Sequence, residues 1–195
     1  MNSNDIENTE YSESDSETLL SLARKSIQHG IDTGRALVIN PASYSDALQQ
    51  QRASFVTLTQ QKLLRGCIGH LQAYQPLVID VVENAFSAAF NDPRFPTLGA
   101  DELEKTQIEI SVLSIPQALE VENEQQLIQK LNPGKDGLIL EDGLYRATFL
   151  PSVWEQLPRA EEFVEALKSK AGMPSGYWSN SMQIFIYHTI SFSEK

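Results

Sequence analysis

Apolar residues recur along this chain with two different periods, and the change from one period to the other divides the sequence into helices and strands. Apolar side chains at every third or fourth position predict amphipathic helices, whereas alternation predicts half-buried strands. The predicted helices cover residues 14–30, 76–90, 123–131, 151–154 and 160–171. The predicted strands cover residues 54–59, 63–69, 107–113, 138–140, 144–150 and 182–192.

Short turn sequences join two pairs of the predicted strands. Gln60-Gln61-Lys62 separates one pair, and Glu141-Asp142-Gly143 separates the other, where Gly143 can adopt the positive φ of a tight hairpin. A link this short joins only antiparallel strands. Helices and strands that are mixed along the chain, together with two hairpins, predict an α+β fold. We expect a mixed, largely antiparallel sheet with flanking helices.

Acidic residues dominate the start of the chain and contribute strongly to its formal net charge of −11. With few apolar residues and no base, residues 1–13 are predicted to form a disordered acidic tail. Ser14 and Glu17 have capping-box spacing, which predicts that the first helix begins there. The remaining residues, 14–195, are predicted to form a single domain. Its acidic body would repel phosphate backbones, which argues against general nucleic-acid binding.

The sequence contains no run of about 18 apolar residues, so no membrane span is predicted. The first residues lack the basic and apolar regions of a secretory signal, and a cytoplasmic location is therefore expected. Cys67 is the only cysteine. A single cysteine excludes an internal disulfide and agrees with a reducing compartment.

The segment Leu64–His70, called the motif below, contains more reactive groups than any other part of the sequence. It contains a guanidinium, a thiol, two glycines and an imidazole within seven residues. In a regular strand Arg65 and Cys67 share one face, and a neighbouring guanidinium stabilises a thiolate. Cys67 is thus a candidate nucleophilic or redox residue, with Arg65 as the tuning cation. The alternative is a small buried apolar residue, as most free cysteines are.

Gly66 and Gly69 are unusual residues for a strand, because glycine weakens strands. One interpretation is that backbone N–H groups open here toward an anionic ligand. The other is a β-bulge, or a helix that packs tightly across the strand. His70 is the last residue of this segment and could pair with Cys67 if a bulge at Gly69 turned its side chain.

A second candidate segment, Asn91–Phe95, leaves the helix that follows the motif and is predicted to face a cleft. Asp92 could orient Arg65 or act as a base. Arg94 could hold a carboxylate or phosphate through two hydrogen bonds, with Asn91 beside it. The alternative is a helix cap in which an Asp92–Arg94 pair fixes the turn.

Several established motifs are absent from the sequence. Cys67, His70 and His188 do not have a known metal-ligand spacing, so no metal site is predicted. His188 lies among apolar strand residues and is predicted to be a core histidine with a hydrogen-bond partner. No P-loop, Gly-x-Gly-x-x-Gly or Gly-x-Ser-x-Gly motif occurs, which argues against ATPase, Rossmann and α/β-hydrolase functions. The sequence therefore leaves the cofactor undefined.

These motifs as a set resemble the AMMECR-domain family, whose bacterial and archaeal members are called AmmeMemoRadiSam system protein A. The resemblance covers about residues 16–193 and rests on Arg65–Gly69, Pro76-Leu77, Glu83–Ala85, Ala88–Phe95, Glu109–Leu113, Gly137-Leu138, Leu150-Pro151, Lys170–Gly172 and Trp178. It implies an α+β domain with a larger and a smaller lobe. It also implies genetic association with a Memo-like protein and a radical-SAM protein.

One departure from the family pattern bears on mechanism. Many relatives have a cysteine shortly before the Lys-Ala-Gly segment, where this chain has Leu167-Lys168-Ser169. A mechanism that needs a second thiol from this segment is therefore not supported.

Two functional hypotheses follow from the motifs and the resemblance. In the first, Cys67 is the centre of a cleft between the lobes that binds or transforms a small ligand. Arginines and opened backbone amides would favour a negative charge on that ligand. In the second, the domain is a non-catalytic interaction module for the Memo-like or radical-SAM protein.

Overall fold

The structure is a computed structural model that describes residues 10–194. The α-helices within this range are α1 (Glu13–Thr33), α2 (Asp46–Gln49), α3 (Leu77–Phe90), α4 (Ala100–Leu103), α5 (Glu124–Lys130) and α6 (Ala160–Lys170). The strands are β1 (Ser54–Gln60), β2 (Leu63–Gly69), β3 (Gln107–Leu113), β4 (Gln117–Ala118), β5 (Gly137–Asp142), β6 (Tyr145–Phe149), β7 (Gln183–Tyr187) and β8 (Thr189–Ser193). Pro41–Ser43 and Pro151–Glu155 form short 3-10 helices.

The chain divides into two compact units, one larger than the other. The first unit extends to Leu113 and includes the chain from Ile190 onward, and the second comprises Ser114–Thr189. Each unit contains one four-stranded sheet, with the orders β2-β1-β3-β8 and β4-β7-β5-β6. Strand β1 pairs antiparallel with β2 and β3, and the pairs of the second sheet are antiparallel as well. The fold is therefore α+β, as predicted.

In the first unit, α1 and α3 cover one face of the sheet. Val56, Leu58, Ile108 and Ile110 alternate along β1 and β3 toward these helices, and each is fully buried. The intervening residues of the same strands are partly or fully exposed. One face of this sheet thus belongs to the core, and the other is the face on which Thr57 and Cys67 lie.

Helix α3 carries the predicted apolar stripe and ends at Phe90, with Asn91 as its C-cap. The sequence placed this end correctly, because Pro93 disfavours a helical conformation for the residue before it. Two polar residues of α3, Asp80 and Asn84, are buried with this stripe. Their polar atoms bind β1 instead of water.

Helix α1 begins earlier than the sequence predicted. Ser12, rather than Ser14, is the N-cap, and it forms a reciprocal capping box with Asp15. Tyr11 is buried and its ring contacts Phe192 edge to face at 5.8 Å. Residues 10–13 of the predicted tail are therefore part of the folded unit, and residues 1–9 of that tail lie outside the described residues.

In the second unit, Trp154 and Phe163 stack with ring centroids 3.7 Å apart over the sheet. The predicted strand 182–192 is wrong in one respect, because it is two strands, β7 and β8, in different sheets. The break falls at His188, whose N–H donates to Ser114 Oγ. None of the helices among residues 10–194 has the length and apolarity needed to span a membrane.

Candidate functional site

Cys67 lies on outer strand β2, opposite Thr57 of β1. The Thr57 hydroxyl donates a hydrogen bond to the Cys67 sulfur at 3.3 Å. The cysteine is partly exposed, because its side chain points to the face that α1 and α3 leave uncovered. The structure therefore does not place this residue in the apolar core.

Asp92 and Arg94 hold the backbone of Cys67 at the outer edge of the sheet. Asp92 Oδ2 accepts the Cys67 N–H at 2.9 Å, and Arg94 Nη2 donates to the Cys67 carbonyl at 3.1 Å. An outer strand leaves alternate backbone groups without a partner strand. The two side chains take the place of that strand at Cys67.

Asp92 and Arg94 also bind each other through two bonds, from Arg94 Nε to Oδ1 at 2.9 Å and from Nη2 to Oδ2 at 2.7 Å. Hydrogen bonding to Arg94 holds the pKa of Asp92 well below its usual range. A buried carboxylate with both oxygens bonded is a weak proton acceptor. This geometry does not favour Asp92 as a base, and it matches the predicted Asp92–Arg94 pair of the alternative.

Arg94, rather than Arg65, is the cation beside the thiol. Hydrogen bonding to Asp92 raises the pKa of Arg94, and the Cys67 side chain adds a smaller contribution in the same direction. The Arg94 side chain is 53% exposed. Its hydrogen bonds within the described residues use Nε and Nη2, and none uses Nη1.

Arg65 is engaged elsewhere. It forms a bidentate ion pair with Glu102, through bonds of 2.8 and 3.0 Å, and it is nearly buried. Leu58 pairs with Gly66 and Thr59 pairs with Leu64, so the register shift leaves Arg65 without an opposite residue. A bulge of this kind breaks the strict alternation on which the predicted Arg65–Cys67 contact depended. Among residues 10–194, Arg65 makes no hydrogen bond to Cys67 or Asp92.

The two motif glycines are explained by packing within the protein. A Cβ atom on Gly66 would overlap the Ala88 carbonyl oxygen of α3. A Cβ atom on Gly69 would overlap the backbone of Ser54 and the ring of Phe55. The space beside each glycine is thus filled by the chain itself. Gly66 agrees with the helix-packing alternative, whereas Gly69 packs against strand β1. The neighbouring N–H of His70 also donates to Ser54, at 3.0 Å, so it does not open toward a ligand.

His70 does not pair with Cys67. Its Nδ1 lies 2.9 Å from Oδ1 of Asp80, on the side of the sheet that faces α3. The ladder continues regularly past Gly69, and so the bulge that would have turned His70 toward the thiol is absent there. Asn91 is exposed as the C-cap of α3, and its side chain makes no hydrogen bond within the described residues.

Sequence reasoning missed three residues that organise these sites: Thr57, Asp80 and Glu102. Thr57 follows from the register of the β1–β2 hairpin, which the turn sequence alone did not define. Asp80 and Asn84 are four residues apart on α3, a spacing that puts two polar side chains on one helical face. That spacing was the available signal for a buried polar cluster.

A surface groove of 690 Å³ lies near the β1–β2 turn, between Arg24, Lys62 and Glu194. It contains none of the predicted site residues. Within residues 10–194, no three histidine, cysteine, aspartate or glutamate side chains form a group suited to a metal ion. The candidate reactive residues therefore lie on β2 and in the segment after α3, outside this groove.

The chain is an α+β protein whose sequence matches a known family model over most of its length. The AMMECR1 model matches residues 20–192, and the chain belongs to the AMMECR1 family. Protein MK0488 of Methanopyrus kandleri is 36% identical over 188 residues, covering 92% of this chain and 88% of that protein. Protein MJ0810 of Methanocaldococcus jannaschii is 35% identical over 169 residues, covering 83% and 81%.

The fold is also similar to a solved structure. The crystal structure of the uncharacterized protein PH0010 from Pyrococcus horikoshii has a TM-score of 0.83 and 31% identity. The similarity covers 96% of this chain and 95% of that one.

Proposed function

We propose that Cys67 is the reactive centre of a site that binds or transforms a small anionic ligand. The observation that carries this proposal is the partly exposed Cys67, whose sulfur accepts the Thr57 hydroxyl and lies beside the Arg94 guanidinium. A donated hydrogen bond and a nearby cation both stabilise a thiolate, the form that acts as a nucleophile. A reactive thiol must stay reduced, which fits the cytoplasmic location expected from the sequence.

Arg94 supplies the preference for negative charge. Its guanidinium is half-exposed, and guanidinium groups bind carboxylates and phosphates through directed hydrogen bonds. Asp92 fixes the orientation of Arg94 and offsets part of its charge. In this arrangement Cys67 is the nucleophile, Arg94 holds the anion, and Arg65 supports the strand through Glu102.

The test compares alkylation of Cys67 by iodoacetate, an anion, and by iodoacetamide, its neutral analogue. In either reaction the thiolate attacks the CH₂ carbon and iodide leaves. Because Cys67 is the only cysteine, the rates report this site alone. We expect the iodoacetate-to-iodoacetamide rate ratio to be higher in the folded protein than in urea. Arg94→Gln should lower that ratio, and Arg94→Lys should restore part of it.

A matched control is Arg146→Gln, which removes a half-exposed arginine of the second unit that pairs with Glu141. This change should leave the rate ratio unaltered. The proposal fails if Cys67 is alkylated only after denaturation, or if Arg94→Gln and Arg146→Gln behave alike. Either result would favour the second hypothesis, in which the domain is a non-catalytic interaction module.

A second candidate function is the interaction module, and the β1–β2 hairpin favours it. Leu63 and Leu64 are 71% and 44% exposed on the outer strand β2. Exposed neighbouring apolar residues on a strand edge are typical of protein contacts. Titration calorimetry with the purified Memo-like and radical-SAM proteins tests this idea. Leu63→Ser should weaken binding, whereas Leu144→Ser, at a fully exposed turn of the second unit, should not.

A further inference from the structure

A histidine and a buried carboxylate form a pair on the side of the first sheet opposite to Cys67. His70 follows the end of β2, and Asp80 lies in the first turn of α3. The His70 Nδ1 and Asp80 Oδ1 atoms are 2.9 Å apart. The Asp80 side chain is 1% exposed, whereas the His70 side chain is 37% exposed. The carboxylate is therefore inside the protein and the imidazole reaches the surface.

Three donors fix the second oxygen of Asp80. Oδ2 accepts from the Ser54 N–H at 2.8 Å, from the Ser54 hydroxyl at 2.6 Å and from Asn84 Nδ2 at 2.8 Å. With Oδ2 occupied by these donors, Oδ1 is the oxygen that faces His70, and a carboxylate has no proton of its own to donate. We therefore place the proton between Asp80 and His70 on Nδ1. The Nε2 atom of a neutral His70 then carries the lone pair.

Tyr74 is the described residue whose side chain lies within hydrogen-bond distance of Nε2. Its hydroxyl is 3.1 Å from Nε2 and 3.3 Å from Nδ1, and the two rings are inclined at 75°. The hydroxyl accepts from Gln75 Nε2 at 3.3 Å and can donate its own proton to His70 Nε2. Tyr74 is 53% exposed, so its side chain can turn away and leave Nε2 to a ligand.

The charges around this pair select the kind of ligand. Gln75 Nε2 connects Asp80 Oδ1, at 3.3 Å, to the exposed carboxylate of Glu83, at 2.9 Å. The other titratable neighbour is Tyr74, whose pKa is raised by burial first and then by Asp80 and Glu83. No lysine or arginine forms an ion pair with these groups in residues 10–194. The site is negatively charged, so it excludes anions and favours neutral or cationic ligands.

We propose that His70 is a general base and Asp80 its positioning residue, at a second site distinct from that of Cys67. A hydroxyl or amine of a neutral or cationic ligand, or a water molecule beside that ligand, transfers its proton to Nε2. The resulting imidazolium is stabilised by Asp80, and it later returns the proton to the product or to solvent. Positioned histidines of this kind accelerate proton transfer by about 10²–10⁴-fold.

A purely structural tie between β1 and α3 would not require this ring. Asn84 Nδ2 already donates to the Ser54 carbonyl at 3.1 Å, and Ser54 binds Asp80 twice. These buried contacts hold β1 and α3 together without His70. The imidazole adds a partly exposed group that this tie does not need.

The protonation geometry is tested by long-range ¹H–¹⁵N NMR of the histidine rings. We expect His70 to be the Nδ1–H tautomer in the parent protein. In Asp80→Asn, the amide oxygen should take the donors of Ser54 and Asn84, which leaves its NH₂ facing Nδ1. His70 should then switch to the Nε2–H tautomer. A parent protein with the Nε2–H tautomer would overturn the proposal.

Catalysis is tested with p-nitrophenyl acetate, a neutral ester, in a Cys67→Ser background that removes the thiol. His70 would deprotonate the attacking water, the C–O bond to the aryl group would break, and acetate and p-nitrophenolate would be released. His70→Gln and Asp80→Asn should each lower the rate by at least about tenfold. His29→Gln is the control, because the side chain of His29 makes no hydrogen bond within the described residues. This control should keep the rate within about twofold.

Chemical modification of the unaltered protein tests His70 without any variant that could misfold. Diethyl pyrocarbonate acylates an unprotonated imidazole nitrogen, and peptide mass spectrometry separates the three histidines. His70 and His188 each bond a buried carboxylate, and their side chains are 37% and 61% exposed. His29 has no such bond within the described residues and serves as the reference. We expect His70 to be modified faster than His29. A slower modification of His70 than of His29 would refute the role of His70, as would an unchanged ester rate in His70→Gln.

Discussion

Gly66 of β2 lies directly against Ala88 of α3, so closely that a Cβ atom would overlap the Ala88 carbonyl oxygen. The same Cβ atom would approach the carbonyl carbon to 3.1 Å. Backbone atoms of a buried helix cannot move aside as a flexible side chain can. The contact therefore fixes glycine at this position and sets the distance between the motif strand and α3.

Gly66→Ala should destabilise the protein by about 1–3 kcal/mol, the usual cost of overpacking a core. The free energy of unfolding in urea measures this change. Gly143→Asn is a suitable control, because Gly143 has φ +59° with open space around it, and asparagine tolerates that conformation. The control should change stability far less. Equal unfolding midpoints for Gly66→Ala and the parent would contradict the packing assignment.

The first turn of α1 provides a matched pair of substitutions. Ser12 Oγ accepts the Asp15 N–H at 3.0 Å, and Asp15 Oδ2 accepts the Ser12 N–H at 3.0 Å. Ser12→Ala should therefore cost about 1 kcal/mol, whereas Ser14→Ala, inside the helix, should be close to neutral. Thermal unfolding of the two variants in parallel measures the difference. A larger loss from Ser14→Ala would restore the cap that the sequence predicted.

The choice between these serines shows why the local pattern was insufficient. Ser12 and Ser14 are each followed three residues later by an acidic residue, so the capping signal is the same for both. Burial of Tyr11 against the core decides between them, and that contact joins residues far apart in the sequence. The hairpins and the end of α3 were predictable because local turn chemistry and Pro93 determine them.

The candidate site was predictable as a location but not as a set of partners. The motif strand and the segment after α3 do meet, since Asp92 and Arg94 bind the Cys67 backbone. The expected partner of Arg65 was wrong, because a bulge breaks the strand alternation and Glu102 of α4 supplies a better-placed carboxylate. Such pairings depend on tertiary structure, which neither residue spacing nor side-chain type encodes.

Asn84 is expected to contribute to stability through buried hydrogen bonds. Asn84 is 1% exposed, and its Nδ2 donates hydrogen bonds to the Ser54 carbonyl and to Asp80 Oδ2. Asn84→Ala removes the donor from two buried acceptors and should cost about 1–3 kcal/mol. Ser87→Ala, on the same helix, removes no side-chain hydrogen bond within the described residues and should be nearly neutral. Similar urea midpoints for both variants would count against the buried network.

The ion pair between Arg65 and Glu102 should make stability depend on pH. Hydrogen bonds from Arg65 and from the Gly99 N–H lower the pKa of Glu102 from 4.5 to about 2. Because the folded protein binds this proton less readily than the unfolded chain, the contribution is fully present above pH 4.5. It is lost as the pH falls from 4.5 toward 2.

Glu102→Gln should therefore be less stable than the parent at pH 6, and the difference in unfolding free energy should shrink as the pH approaches 2. Asp92, whose pKa is also lowered, is present in both proteins, and its effect cancels in the comparison. Glu109→Gln, on the exposed face of β3, is the control for the loss of a surface carboxylate. Urea unfolding at several pH values measures both differences. A Glu102→Gln difference that stayed constant from pH 6 to pH 2 would show that Arg65 does not depend on this carboxylate.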